Sequence, residues 1–185
     1  PQSASCRRWP RMAPEHSPEP ASPMVRPVLP GLDDIVASYD RATWGPIIEG
    51  HYALAERAGG LAALVPLLVM AFRKIKSFKG RKVILHFILP YVRCTREVLD
   101  IGLFALADKS RVVREDALAL IAYSLDERAM PALIAHADHA DQRDRDSAHA
   151  AIDAIRNRNH HLFLDRDHAG NVVWRVTDAC GKIAT

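Results

Sequence analysis

The stretch that decides the fold is Leu106-Ala-Asp-Lys-Ser-Arg-Val-Val-Arg-Glu-Asp-Ala-Leu-Ala-Leu-Ile121, in which a polar break separates two apolar helical stripes. Positions 98, 101, 102, 105 and 106 share one helical face, and positions 113, 117, 120 and 121 share another. The break contains Asp108 and Ser110, whose side-chain oxygens can cap the second helix. A degraded copy of the pattern returns about 31 residues later, between 130 and 155. This period predicts stacked helical hairpins, each too small to bury its own apolar face.

The composition is typical of closely packed helices. Aromatic residues make up only 6% of the 185 residues, whereas alanine and leucine are plentiful. The net charge of +3 is distributed unevenly, because six of the ten residues from 73 to 82 are basic and nine acids accompany three arginines between 115 and 153. We therefore expect the folded part to have a basic half and an acidic half, the latter around residues 115–146.

The cysteines and the apolar runs bear on the location of the protein. Cys6, Cys94 and Cys180 are far apart in the sequence and form no CxxC motif, so a disulfide framework is not expected and a reducing cytoplasm is the predicted location. Arginines near Cys94 could lower its thiol pKa, but a buried cysteine in helix packing is the simpler interpretation. The longest apolar run has 12 residues, from 61 to 72, and a helix that crosses a bilayer needs about 20. No contact with a membrane is predicted.

Changes in residue pattern divide the chain into four parts. Residues 1–30 hold eight of the twelve prolines, and we expect a disordered tail there. Residues 31–159 carry the helical patterns and predict a domain of about eight helices. Residues 160–176 contain two apolar runs around a polar loop, which predicts a β-hairpin that caps the open end of the stack. Residues 177–185 are expected to form a C-terminal tail, so the predicted fold class is all-α with a small C-terminal β-hairpin.

Around its central break the chain resembles HEAT-type helical repeats, in particular those of bacterial HEAT-like proteins. In that family the first helix of a repeat ends at an Asp, and a Val-Arg dipeptide opens the second helix. The best repeat matches at Asp108, Val113, Arg114, Ala117 and Leu120, and the next matches loosely at Asp138, Arg145, Ala148 and Ile152. The upstream units, roughly 32–58 and 61–90, keep only helical periodicity. The resemblance implies a short, right-handed α-solenoid that serves as a binding scaffold, and it carries no catalytic residues across.

The basic run from 73 to 82 is the candidate partner-binding surface. Its cations could bind phosphates, and an aromatic residue within it could stack on a base, although a basic loop is more often simply solvated. Tryptophan and tyrosine in the same half could anchor a protein interface, and they are also ordinary core residues. The candidate binding residues are Arg73, Lys74, Lys76, Phe78, Lys79, Arg81, Lys82, Trp44 and Tyr91, and Tyr52 is a further aromatic expected at the surface.

A histidine pair is the only weak candidate for a metal site. His136 and His139 are spaced i,i+3, which places both on one face of a helix. However, His136 follows the apolar stripe, so a hydrogen-bonded core histidine is the simpler interpretation, and neither a specific metal site nor a cofactor is predicted.

No catalytic motif stands out: the sequence has no Gly-rich phosphate loop, no nucleophile elbow and no His-Glu-x-x-His. The favoured function is therefore a non-enzymatic protein–protein scaffold or adaptor, for example a bacterial immunity or regulatory protein. The alternative is nucleic-acid binding through the basic stretch, as in HEAT-like DNA glycosylases. Salt dependence would separate them, because phosphate-driven binding weakens by orders of magnitude between about 50 and 200 mM salt.

Overall fold

A computed structural model describes residues 28–171. Within this range the chain forms eight α-helices and three short 3-10 turns. The helices are α1 (Leu32–Tyr39), α2 (Trp44–Arg57), α3 (Leu61–Phe72), α4 (Phe78–Ile88), α5 (Arg96–Ala105), α6 (Arg111–Ser124), α7 (Met130–His136) and α8 (Gln142–Arg156). The turns are Leu89–Tyr91, Glu127–Ala129 and His160–Phe163. The expected disordered tail, apart from its last three residues, and the expected C-terminal tail lie outside the described residues.

The helices pack as successive hairpins in two layers. One layer is formed by the even-numbered helices, with α4 between α2 and α6, and α6 in contact with α8. In the other layer, α3 contacts both α1 and α5. A continuous apolar core runs between the layers, and the predicted all-α architecture of about eight helices is confirmed for the described range. No helix between residues 28 and 171 has both the length and the apolar character needed to cross a membrane.

Helix α4 begins within the basic run. Residues 78–80 form its first turn, and the Ser77 hydroxyl accepts a hydrogen bond from the Gly80 amide at 3.4 Å. Gly80 is needed there because α4 lies directly against the end of α1. A Cβ atom at Gly80 would lie 2.2 Å from the Tyr39 carbonyl oxygen. The absence of a side chain therefore permits the close contact between the two helices.

Three prolines show how the helices accommodate this residue. Pro90 and Pro131 lie in the first turns of their helical segments, where the missing N–H costs nothing. Pro66 lies inside α3, and the helix continues through it to Phe72.

The predicted β-hairpin is wrong. Residues 160–163, expected to begin its first strand, form a 3-10 turn, and no strand occurs between residues 28 and 171. The Asn159 side chain caps this turn by accepting the His161 amide at 3.1 Å. The neighbouring residues Leu162 and Phe163 are both buried, which a helical turn allows and a strand with alternating faces does not. The expected second strand, 172–176, lies outside the described residues.

A buried polar pair joins α1 to α2. The Tyr39 hydroxyl and His51 Nδ1 are 2.6 Å apart, and both residues are at most 1% exposed. His51 also stacks on Phe87 of α4, with ring centroids 3.7 Å apart. Burial lowers the pKa of His51 to about 4, so its imidazole is neutral at pH 7.

Candidate functional site

The loops within the four hairpins lie along one edge of the stack, which we call the loop edge; it comprises residues 40–43, 73–77, 106–110 and 137–141. Side chains tie neighbouring loops together. The Asp40 carboxylate accepts the Lys76 and Ser77 amides at 2.7 and 2.8 Å. Arg81 binds Asp108 through two N–O contacts of 2.6 and 3.0 Å. The loop edge is therefore a surface whose parts hold fixed positions relative to one another.

The same arginine contact recurs in three successive hairpins. Arg81, Arg114 and Arg145 are each the fourth residue of an even-numbered helix, namely α4, α6 and α8. Each guanidinium Nη1 donates to the carbonyls six and five residues earlier, at distances between 2.7 and 3.3 Å. The loop before each helix is thus closed by the same hydrogen bonds.

The first two of these arginines also reach the next hairpin. Arg81 pairs with Asp108, and Arg114 pairs with Asp144 through N–O contacts of 2.6, 3.2 and 3.2 Å. Arg145, in the last hairpin described, donates instead to Gln142 of its own helix. The role of Arg81 was not predicted, because the upstream unit lacks the Asp…Val-Arg pattern. A signal was present, however: Lys-Ser-x-x-x-Arg occurs at 76–81 and again at 109–114.

Half of the predicted basic run is engaged inside the protein. Arg81 is held as described, and the Lys82 ammonium lies 2.7 Å from both carboxylate oxygens of Asp116. Lys79 donates to the carbonyl of Ala42 at 2.6 Å. These three cations therefore bind groups of this chain, and the predicted basic and acidic halves are partly paired with each other. Burial raises the pKa of Asp116, although the bond to Lys82 opposes this.

Two of the remaining cations, Arg73 and Lys76, line an open groove of about 440 Å³, which we call the basic groove. It lies between the loops 73–77 and 106–110. Its lining residues are Phe72, Arg73, Ile75, Lys76, Arg81, Phe104, Ala107, Asp108 and Lys109. The Arg73 guanidinium lies over the Phe104 ring at 4.5 Å, and that ring is 47% exposed. Lys74 is exposed beside the groove without lining it.

The predicted aromatic anchors do not form one cluster. Trp44 and Phe78 are both 42% exposed and meet edge to face, with ring centroids 6.4 Å apart. Tyr52 is 60% exposed on α2. Tyr91 is only 8% exposed, so its predicted surface position is wrong; it lies in the turn after α4 and packs into the core. Phe104, which was not among the predicted binding residues, is the exposed aromatic residue in the lining of the basic groove, whereas Phe72 in the same lining is buried.

A second groove of about 460 Å³ lies beside the basic groove, between α5 and α7. Its lining residues are Leu103, Leu106, Ala107, Asp108, Arg114, Ala132, Ala135, His136 and His139. Ala107 and Asp108 line both grooves and form the ridge between them. Five of its nine lining residues are apolar. Of the polar ones, Asp108 and Arg114 use their charges in the contacts described above, and His136 and His139 complete the lining.

The weak metal candidates lie against a buried ion pair. His136 and His139 stack on each other with ring centroids 4.9 Å apart, and their nearest nitrogens are 3.8 and 3.3 Å from the Asp144 carboxylate. That carboxylate is already bound by Arg114, and among residues 28–171 no group of three or more His, Cys, Asp or Glu side chains has an arrangement that could hold a metal ion. The buried His136 therefore has the core position that the simpler interpretation predicted, but its Nε2 has no hydrogen-bond partner.

The pKa shifts in this cluster show how its charges are held. Burial and the neighbouring His139 lower the pKa of His136, so it is neutral at pH 7. For Asp144, burial alone would raise the pKa, but the hydrogen bonds and charge of Arg114 outweigh it and the pKa is lowered. Arg114 and Asp144 therefore form a buried ion pair at neutral pH.

Cys94 was interpreted either as a thiol activated by nearby arginines or as a buried cysteine in helix packing. In the structure it is half-buried and disulfide-bonded. Its partner lies outside the described residues. Cys94 is thus neither a reactive thiol nor a free core cysteine.

Comparisons with protein-family models, with curated proteins and with solved structures give no match to this chain.

Proposed function

We propose that this chain is a non-enzymatic binding protein that holds an acidic segment of another protein in the basic groove. The observation that supports this proposal is that Arg73 and Lys76 from one loop and Lys109 from the next line one concave site. Among the described residues, none of these three cations has an acidic partner within ion-pair distance. They keep their charge for a ligand, and Phe104 offers that ligand an apolar contact.

The recurring arginine contact supports a HEAT-like stack as the scaffold. Arg114 is the residue on which the resemblance to HEAT repeats depends, and Arg81 and Arg145 occupy the same place in the hairpins on either side. In an α-solenoid each repeat contacts only its neighbours, and the binding surface extends along the stack. A groove between consecutive loops is such a surface.

The distribution of charge favours a protein over a nucleic acid. B-form DNA carries one charge per about 1.7 Å of its axis, and proteins that bind it present a long row of cations. Here the free cations belong to two adjacent loops, and the next loop contains the acids Asp138 and Asp141. A short acidic segment fits this limited patch better than a continuous phosphate backbone does.

Two charge reversals test the proposal, since Lys76 lines the basic groove and Lys74 does not. We expect Lys76→Glu to abolish the capture of a nuclease-resistant protein partner from lysate, whereas Lys74→Glu should retain most of it. Both lysines are exposed and neither side chain has a partner in the described part of the chain. Because the Lys76 amide is bound by the Asp40 carboxylate, thermal melts of both variants check that folding is retained. Equal effects of the two changes would contradict the assignment of the groove.

Nucleic-acid binding is the second candidate, and the exposed Phe104 ring beneath Arg73 is the observation that favours it, since bases stack on aromatic side chains. The test is fluorescence anisotropy with labelled single-stranded DNA and RNA and with duplex DNA, at 50 and 200 mM salt. Binding that falls steeply with salt and is lost in Phe104→Ala would establish this function in place of the first.

The role as an immunity or regulatory protein and the cytoplasmic location remain predictions. The disulfide at Cys94 argues against the location, because reducing compartments rarely keep structural disulfides.

A further inference from the structure

We infer that the partner segment is an unfolded peptide with an acidic residue in the basic groove and an apolar residue, three positions away along the peptide, in the second groove. This inference rests on the proposed function and adds the sequence pattern that the protein recognises. The observation that supports it is that two grooves of nearly equal size share a single wall at Ala107 and Asp108. One is lined by three cations that have no acidic partner among the described residues, and the other by leucines, alanines, two histidines and the internally paired Arg114.

The spacing follows from the packing of helical hairpins. Each groove lies between one hairpin and the next, so the grooves are one packing distance apart, and packed helix axes are separated by about 8–10 Å. A peptide in the polyproline II conformation rises about 3.1 Å per residue and returns its side chains to the same face every third residue. Three residues therefore span about 9 Å, and both side chains point at the protein.

A helical partner fits this surface less well. An α-helix with its side chains is about 10–12 Å wide, as wide as the spacing between the grooves. It would rest on the ridge at Ala107 and Asp108 and would not bring its backbone into either groove. An extended peptide is narrower and can follow the loop edge across the ridge.

The charges in the two linings indicate which peptide side chain enters which groove. The basic groove offers Arg73, Lys76 and Lys109, and its one carboxylate, Asp108, is already bound by Arg81. The second groove offers Leu103, Leu106 and three alanines beside two histidines, and the small alanine side chains leave room for an apolar group. An acid in the first groove and an aliphatic residue in the second therefore match the two linings.

The undescribed ends of this chain are poor occupants of the basic groove. Residues 1–27 contain four arginines and two glutamates, and residues 172–185 contain one arginine, one lysine and one aspartate. Both segments carry a net positive charge, which a basic groove repels. These two segments therefore match the basic groove less well than an acidic segment of another protein does.

The test uses synthetic 12-residue Gly/Ser peptides and NMR titration of the full chain labelled with ¹⁵N. Each peptide contains two adjacent glutamates and one leucine. In the three peptides the leucine lies three residues before, three residues after, or seven residues after the nearer glutamate. Control peptides replace leucine by serine or both glutamates by glutamine. We expect one of the two peptides with a spacing of three to bind about tenfold more tightly than its serine control, a difference equivalent to about 1.4 kcal/mol.

A protein variant then locates the leucine. Ala135 is exposed and lines only the second groove, so Ala135→Tyr fills that groove without touching the basic one. We expect Ala135→Tyr to bind the leucine and serine peptides equally, while Lys76→Glu weakens both. Equal binding of leucine and serine peptides to the unaltered protein, or a preference for the spacing of seven, would overturn the inference while leaving the proposed function intact. Equal binding of the glutamate and glutamine peptides would overturn both.

Discussion

The buried ion pair between Arg114 and Asp144 should be a main source of stability for the loop edge, and Asp144→Ala tests it. The side chains of the two residues are 10% and 2% exposed, and three N–O contacts join them. Removing the carboxylate leaves a buried guanidinium whose charge has lost its partner. Breaking one partner of such a pair costs about 3–5 kcal/mol in measured cases.

The structure narrows this range for Asp144→Ala. Arg114 keeps its two hydrogen bonds to the carbonyls of Asp108 and Lys109, so part of its polar surface stays satisfied. We therefore expect a loss near the lower end, about 3 kcal/mol in the free energy of unfolding. For a domain of this size that corresponds to a fall in melting temperature of about 6–12 °C.

Urea denaturation followed by circular dichroism measures this loss, provided that the slope m is unchanged. Glu115→Ala is the control, because it removes a surface ion pair with Arg111 in which the glutamate is 53% exposed. Such pairs contribute about 0.3–0.5 kcal/mol. A loss below about 1 kcal/mol for Asp144→Ala would refute the reasoning, since it would mean that water or another acid compensates Arg114.

Three further predictions concern other parts of the chain. Gly80→Ala should destabilise the protein by about 3 kcal/mol, because its methyl group would lie 2.2 Å from the Tyr39 carbonyl oxygen. Gly45→Ala has open space around it and should be neutral or slightly stabilising. Thermal melts of the two variants check this difference. Because the pKa of His51 falls from 6.5 when unfolded to about 4 when folded, unfolding should bind a proton and the free energy of unfolding should drop by about 3 kcal/mol as the pH falls from 6.5 to 4. Replacing Tyr39 by Phe together with His51 by Leu should flatten that pH dependence in urea titrations, and an unchanged slope would contradict the assignment. Alkylation of the unfolded, non-reduced protein should detect one thiol among three cysteines, and Cys94→Ser should raise the number to two.

The helices could be predicted from the sequence because their signals are local. The stripe at 113, 117, 120 and 121 forms the buried face of α6, where all four residues are fully buried. The cap of α8 was likewise predictable, since Asp141 accepts the Arg143 amide at 2.9 Å. The Ser110 hydroxyl does not form the expected cap of α6. Instead, the Ser110 amide donates a hydrogen bond to the Asp108 carboxylate.

The β-hairpin was mispredicted because its signal was also local. Runs of apolar residues at 161–164 and 172–176 around a polar loop are typical of paired strands. The first run instead packs as a turn against α6 and α8, where Leu162 and Phe163 are buried together. Burial against the preceding helix α8 and the more distant α6 outweighed the local preference, as tertiary packing often does for short apolar runs.

The candidate site depended on long-range contacts and could be predicted only in outline. The run from 73 to 82 gave the correct region, but the sequence could not show which cations remain free. Partners 27 and 34 residues away, Asp108 and Asp116, bind Arg81 and Lys82. Lys109 was not selected because it lies 27 residues beyond the run, although the fold places it in the same groove.

The same arginine contacts that hold the loops also determine how the basic groove can act. Arg81 and Asp108 lie in its lining with side chains only 16% and 9% exposed, and their charges compensate each other, so a partner gains little from them. The attraction must come from Arg73, Lys76 and Lys109 at the rim, where water and salt screen each charge. Rim charges mainly raise the rate of association, and the apolar contact determines how slowly the complex dissociates. In the proposed complex, added salt should therefore slow association, whereas filling the second groove should speed dissociation, and stopped-flow measurements would separate the two effects.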